Sequence, residues 1–389
     1  MPEYDVTVIG AGLSGLAVSR DLARRGWRVA LIDRKPNLTV GVHTTGIFVR
    51  RTLEGFDLPE DCLGPVVRHV SLYSPGGQQL DLESRFEEFR VGKMARLYTR
   101  WLDECRIAGV DVHLETGFQR VRLKPSSNVQ TLELQTGTRA WELSTRFLIG
   151  ADGASSRVAE QLGLSRNKEW IVGVEQVYQH VPMLGVPRFH VWIDPVLAPG
   201  YIAWLVHDGE EVHVGVGGYA ARFEPRAALN VFLDQMRAKF PLDAGELIEQ
   251  RGGRIPVGGV LPNLINTHGL LLGDAAGAVS PLTAGGLDPC LRQSQAAAIV
   301  ADAWLTTGQT EILKAYDGGW MRGKFRLRNW LRQCLSAARY RWQIECGFYL
   351  LKSWPGKRFA HRVFFSPGSF PDLPLDQNPA LAKLLAGRT

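Results

Sequence analysis

Asp5-Val6-Thr7-Val8-Ile9-Gly10-Ala11-Gly12-Leu13-Ser14-Gly15 is the stretch on which the fold turns. An apolar, β-branched run that passes straight into G-x-G-x-x-G predicts a buried parallel strand handing over to a helix. Leu16, Leu22 and Ala23 then fall on one helical side and Arg20, Arg24 and Arg25 on another, and Gly26 stands where a stop glycine belongs. The next strand, Trp27 to Ile32, ends in Asp33. Each glycine has its own physical reason. Gly10 permits the tight turn, Gly12 lets the backbone approach a pyrophosphate, and Gly15 lets helix and strand pack closely. The helix start offers free N–H groups and a positive dipole end to phosphate. Asp33, about 20 residues on, is placed to accept both ribose hydroxyls, which disfavours a 2′-phosphate in this pocket.

With 389 residues, the chain has room for two domains, or for one nucleotide domain carrying an inserted layer. Its 45% hydrophobic and 22% charged residues are ordinary for a globular protein. No apolar run reaches about 18 residues, and Met1 leads into a strand rather than a basic leader, so a cytoplasmic protein is expected. Cys62, Cys105, Cys290, Cys334 and Cys346 are scattered, without the close pairs that favour zinc or iron–sulfur ligation, and no metal is expected. The net charge of +6 suits nucleic acid, an anionic membrane surface or an anionic substrate alike; of these, no nucleic-acid partner is expected.

Two later segments narrow the cofactor. Phe147-Leu148-Ile149-Gly150-Ala151-Asp152-Gly153-Ala154-Ser155-Ser156-Arg157-Val158 reads as a strand, a GADG turn and a helix start; Leu270-Leu271-Leu272-Gly273-Asp274-Ala275-Ala276-Gly277 reads as a strand ending in GDAAG. With the first motif, they resemble the three fingerprints of the FAD-dependent oxidoreductases that include para-hydroxybenzoate hydroxylase and the geranylgeranyl reductases. An NAD site needs only one βαβ unit, whereas the longer FAD runs across several strand ends. The resemblance implies that Asp274 holds ribityl hydroxyls, that Asp152 faces the cofactor or nicotinamide side, and that FAD is the cofactor. It also implies a basic residue on the Phe89–Tyr98 segment reaching the cofactor, with Lys93 and Arg96 both candidates. In Ser280-Pro281-Leu282-Thr283-Ala284-Gly285-Gly286-Leu287-Asp288, Pro281 marks a bend, the glycine pair allows close approach, and a helix begins near Leu287. A helix start aimed at the ring would stabilise the anion of reduced flavin. The expected cofactor set is Gly10, Gly12, Leu13, Ser14, Gly15, Asp33, Arg34, Thr45, Gly46, Arg96, Asp152, Gly153, Gly273, Asp274, Pro281, Gly285, Gly286 and Leu287.

The separation of these segments predicts an α/β fold with a discontinuous Rossmann-type FAD-binding domain (1–70, 90–165 and 250–320). The remainder, 71–89 and 166–249, predicts an antiparallel β-sheet substrate domain. Its strands are Ile171 to Tyr178, Arg188 to Ile193, Ile202 to Val206 and Glu211 to Val216, with a hairpin turn at Asp208-Gly209. A C-terminal helical region, 321–389, follows. There Leu327, Leu331, Leu335, Ala338 and Trp342 keep helical spacing while Arg326, Arg328, Arg332, Arg339 and Arg341 carry charge. Such a helix either packs on the body or, with Trp320, Trp330, Trp342 and Trp354, makes a peripheral membrane contact.

Within the superfamily, the likeness is greatest to the geranylgeranyl reductases, whose PGYxWxF segment Pro199-Gly200-Tyr201-Ile202-Ala203-Trp204-Leu205 resembles with one residue inserted. This implies hydride transfer from flavin to a double bond of a lipophilic, prenyl-type substrate. Of Tyr201 and Trp204, strand alternation puts at most one in the pocket. The group's cysteine element is replaced by His43-Thr44-Thr45-Gly46, leaving His43 as the candidate proton donor. A flavin monooxygenase acting on an aromatic or lipophilic substrate uses the same contacts, and a non-catalytic prenyl-binding escort keeps a related fold without flavin. With no second G-x-G-x-x-G, either NAD(P)H is a transient electron donor or the electrons come from a protein donor.

Overall fold

The computed structural model describes residues 3–123, 129–183, 185–365 and 379–387. The opening motif forms β1 (Glu3–Ile9), α1 (Leu13–Arg24) and β2 (Val29–Ile32). β1 pairs in parallel with β2 on one side and with β3 (Arg139–Gly150) on the other. Gly269–Leu271 continues in parallel beyond β3, and Asp111–His113 beyond β2. Val6, Val8, Leu31, Phe147 and Ile149 are fully buried, because both faces of a parallel sheet are covered. The register fixes the site: Ile9 stands opposite Gly150, and Gly150 opposite Leu271, so all three fingerprints leave the sheet side by side at its carboxyl edge.

The second sheet is built by β4 (Trp170–Gln179), β5 (Arg188–Trp192), β6 (Ala203–His207), β7 (Glu211–Gly218) and β8 (Glu246–Pro256) in the order β8-β4-β7-β6-β5, extended by His69–Tyr73 and Gln79–Glu83. It is mixed rather than wholly antiparallel, since β5 runs parallel to His69–Tyr73. β8 belongs wholly to this sheet, so the return to the nucleotide domain comes after Pro256, later than the expected boundary at 250. Alternation along β6 sends Ala203 and Leu205 to one face, where Phe232 and Met236 of the helix Pro225–Arg237 bury them. Trp204 and Val206 point to the other face, toward a cavity.

α2 (Leu287–Thr307) packs against α1 and is buried along most of its surface, which accounts for its run Ala296, Ala297, Ala298 and Ala301. The C-terminal region is several helices: α3 (Gly319–Ala337), α4 (Arg341–Leu351) and α5 (Trp354–Phe364). The apolar spacing from Leu327 to Trp342 therefore belongs to two helices, broken after Ala337. α3 packs on the body of the protein: Arg328 and Arg332, expected on a charged outer side, are buried, and Leu331 and Leu335 reach the cavity.

Candidate active site

The three fingerprints and the second sheet enclose one cavity of about 610 Å³. One end of it is main chain. Gly10 has φ +106°, and a Cβ there would lie 2.2 Å from the carbonyl oxygen of Ala151; a Cβ on Gly15 would lie 1.8 Å from that of Gly10. No side chain fits either place. Gly12, by contrast, faces open space in the cavity wall at the start of α1, where free N–H groups and the dipole favour an anion. Beside it the Asp33 carboxylate accepts the Ala11 N–H at 2.6 Å and the Lys35 N–H at 2.8 Å, which fixes it in the wall with lone pairs to spare.

Farther in, Asp274 lines the cavity, and no described residue bonds to its carboxylate. Burial alone pushes its pKa up to about 6. An acid held in such a place without a partner is suited to accept hydroxyl groups from a bound molecule. Gly285, Gly286 and Leu287 bring the positive end of α2 to the same wall. The donor set thus fits FAD: a helix start for pyrophosphate, Asp33 for ribose, Asp274 for a polyol, and a second helix start for an anionic ring.

The far end is side chain. Trp204 stands opposite Gly215 in the β6–β7 register, and Gly215 stands opposite Glu175 in β4. With no side chain on Gly215, the indole crosses the middle strand and donates its Nε1–H to Glu175 at 2.9 Å. A Cβ on Gly215 would lie 2.3 Å from that ring. Thr45 also donates to Glu175, at 2.6 Å, and Arg251 approaches within 3.4 Å. Burial would raise Glu175, but His213, Arg251 and Thr45 outweigh it and hold the carboxyl below its ordinary range. Burial would likewise depress His213, yet Glu175 at 3.6 Å and Glu211 at 3.3 Å lift it to about 9. A protonated histidine is therefore sealed behind a cavity-facing carboxylate. Around this polar spot the wall is apolar, including Phe189, Val191, Leu331, Leu335 and Phe364.

Of the expected cofactor residues, Gly12, Leu13, Ser14, Asp33, Thr45, Gly46, Gly153, Gly273, Asp274, Gly285, Gly286 and Leu287 line the cavity, with Gly10 and Gly15 shaping it from behind. Four others do not line it. Arg34 is exposed, and its neighbour Lys35 lines the wall instead. Arg96 is an outer-surface residue paired with Asp61 at 3.1 Å, and the alternative, Lys93, pairs with Glu210 at 2.7 Å. The Asp152 carboxylate caps the short helix after it, accepting from Ser156 Oγ at 2.6 Å and the N–H groups of Arg157 and Val158. Pro281 is buried behind the loop that Leu282 to Gly286 present to the cavity.

Tyr201 and Trp204 both line the cavity, against the expectation of one. Alternation fails because Tyr201 precedes β6, in a turn where Gly200 has φ +73°. Its hydroxyl donates to the Thr283 carbonyl at 2.8 Å, and its ring meets Trp204 edge-on at 6.3 Å. His43 lines the wall as well, with its pKa lowered by burial and then by Lys35, so the neutral ring prevails at pH 7. Glu175, His213 and Arg251 were not anticipated. The signal was a lone acid inside the apolar strand Trp170–Gln179. The described residues hold no cluster that would bind a metal.

Residues 5–61 match the family model of FAD dependent oxidoreductases. The chain is 30% identical to digeranylgeranylglycerophospholipid reductase 1 of Methanopyrus kandleri, over 82% of this chain and 86% of that protein. Geranylgeranyl diphosphate reductase of Rhodobacter capsulatus is 27% identical over 82% and 80%. A geranylgeranyl bacteriochlorophyll reductase-like protein from Thermoplasma acidophilum shares the fold, with a TM-score of 0.78 at 20% identity over 99% of this chain and 96% of that one. So does aklavinone-11 hydroxylase, in a ternary complex with FAD and aklavinone, with a TM-score of 0.69 at 18% identity over 87% and 71%. The chain belongs to the geranylgeranyl reductase family of FAD-dependent oxidoreductases.

Proposed function

We propose that the protein saturates carbon–carbon double bonds of a prenyl chain, such as the geranylgeranyl groups named for its relatives. The observation that carries this reading is the continuity of the cavity, in which a polar crevice suited to FAD opens into an apolar chamber lined by Phe189, Val191, Ile202, Leu331, Leu335 and Phe364. Bound FAD, once reduced, supplies the hydride. Gly12, Ser14, Asp33, Gly153, Asp274 and the start of α2 would hold the cofactor, with Thr45 and Gly46 in the same cavity wall. Tyr201 and Trp204, pinned through Thr283 and Glu175, form a rigid aromatic wall along which a prenyl chain lies. The apolar chamber excludes water from the double bond.

His43 handles the proton. Because burial lowers its pKa below the usual 6.5, a step needing the imidazolium should weaken as pH rises through that lower value, and His43→Gln should abolish that limb while keeping bound flavin. The electrons would come from NAD(P)H bound transiently, which anaerobic bleaching of the yellow protein by either nucleotide would register. The free cysteines suit a reducing, cytoplasmic setting. No helix among the described residues is long and apolar enough to cross a membrane.

The deciding experiment is a single anaerobic turnover of the reduced protein with a geranylgeranyl lipid, read by mass spectrometry. A gain of two hydrogens per double bond is expected. A product that forms only with oxygen and gains an oxygen atom would replace this reading with the monooxygenase one.

A further inference from the structure

α4 and α5 form the outer wall of the apolar chamber: Leu351, Ala360, Val363 and Phe364 line it from within. Their outer surface is unusual. Trp342, Tyr349, Leu350 and Trp354 are 64–78% exposed. Phe359 both lines the chamber and is 46% exposed, so the chamber reaches the surface at α5. Scattered single apolar residues on a surface need no explanation, but large aromatics gathered on two consecutive helices at the mouth of an apolar cavity do.

The charge among them has one sign. Arg339, Arg341, Lys352, Lys357, Arg358 and Arg362 face a single acid, Glu345, between residues 339 and 365. That acid is occupied: it accepts from Ser74 Oγ at 3.0 Å, the Gly76 N–H at 2.6 Å and Gln78 Nε2 at 2.8 Å, fastening α4 to the second sheet. Arg341 pairs with Asp194 at 3.1 Å, and the Arg358 guanidinium lies over the Trp354 ring at 5.5 Å. Lys352, Lys357 and Arg362 are exposed, with no acidic partner among the described residues.

We propose that the outer face of α4 and α5 docks on an anionic lipid surface, so that the apolar chamber opens at Phe359 toward the acyl chains. Amphipathic rings seat at a membrane interface, and basic side chains between them meet the negative headgroups. A second copy of the chain is a poorer partner, because an isologous contact would set this basic patch against itself. The face differs from the one that spacing alone marks out, since the arginines of α3 at 328 and 332 are buried. The docking rests on the prenyl-reductase reading for its purpose but not for its test.

Flavin-loaded protein is mixed with vesicles of phosphatidylcholine alone, or with about 30% phosphatidylglycerol, and sedimented. Binding to the anionic vesicles and its loss at high salt are expected. The variant Lys352→Glu/Lys357→Glu should lose roughly fivefold in affinity per reversed residue or more. Tyr349→Glu/Trp354→Glu should abolish binding while leaving flavin content and turnover of a short, detergent-dispersed prenyl alcohol unchanged. Wild-type protein that stays in the supernatant with anionic vesicles overturns the docking even if turnover is intact. So does a concentration-dependent dimer that the Tyr349→Glu/Trp354→Glu variant cannot form. A vesicle-bound protein that reduces no prenyl compound would instead remove the substrate reading and leave the docking standing.

Discussion

At the Gly10–Gly15 end of the cavity the wall is main chain, held by Gly10 and Gly15, which admit no Cβ; at the Trp204 end it is side chain, held by a buried carboxylate with four neighbours. The first end tolerates nothing added, and the second tolerates nothing removed. A site for a fixed cofactor is made by letting backbone approach it, whereas a site for a long apolar chain is made by pinning large rings. The contrast also divides the energetics. Backbone geometry decides whether the protein folds around flavin, and the Glu175 network decides the shape of the chamber.

The harshest way to break the comparison is Gly15→Ala. Its Cβ would meet the Gly10 carbonyl, so both the βα turn and flavin retention should fail, at a cost of about 3 kcal/mol or more, read as colourless or insoluble protein. Glu175→Gln should come next, at about 3 kcal/mol in thermal or urea unfolding, because Arg251 and His213 lose their shared counter-charge. Its signature is pH dependence. In the wild type, stability from His213 is complete below about pH 6.5 and is lost as pH rises through about 9; in the variant that slope should shrink.

Asp274→Asn should weaken flavin by roughly 30-fold, about 2 kcal/mol, without unfolding the protein. Stripped of flavin, the wild type carries a carboxyl raised to about 6, so its stability should fall by at most about 3 kcal/mol as pH rises from about 4 through 6. The asparagine protein should lack that fall, and flavin should suppress it. The mildest effect belongs to Gly215→Ala, at about 1 kcal/mol. The displaced indole should release Trp204 from Glu175, with flavin retained and turnover of long prenyl chains reduced relative to short ones.

How much of this was legible follows the same division. The Rossmann order, the crevice and Asp274 were readable because a glycine turn after an apolar strand encodes backbone geometry locally, and the register of β1, β3 and Gly269–Leu271 then brings three such turns together. Arg96 and Asp152 misled because a motif names the residue but not the rotamer: local partners, Asp61 for one and the next helix start for the other, were nearer than the cavity. The Glu175 network spans residues 45 to 251 and was invisible to spacing, although an acid within Trp-Ile-Val-Gly-Val-Glu-Gln-Val-Tyr-Gln was its one local sign. β8 was cut in two for a related reason, since half of Glu246–Pro256 is charged or glycine and shows no apolar alternation.

Gly173, Gly215 and Gly217 lie beneath the Tyr201 and Trp204 rings, forming a shallow trough where neighbouring strands would normally raise side chains. The depth of that trough is set by methyl groups that are missing. A carbon put back at Gly215 or Gly217 would lift the ring seated there toward the cavity, so the two substitutions should give a graded series of proteins that select among isoprenoid lengths while keeping the same yellow cofactor.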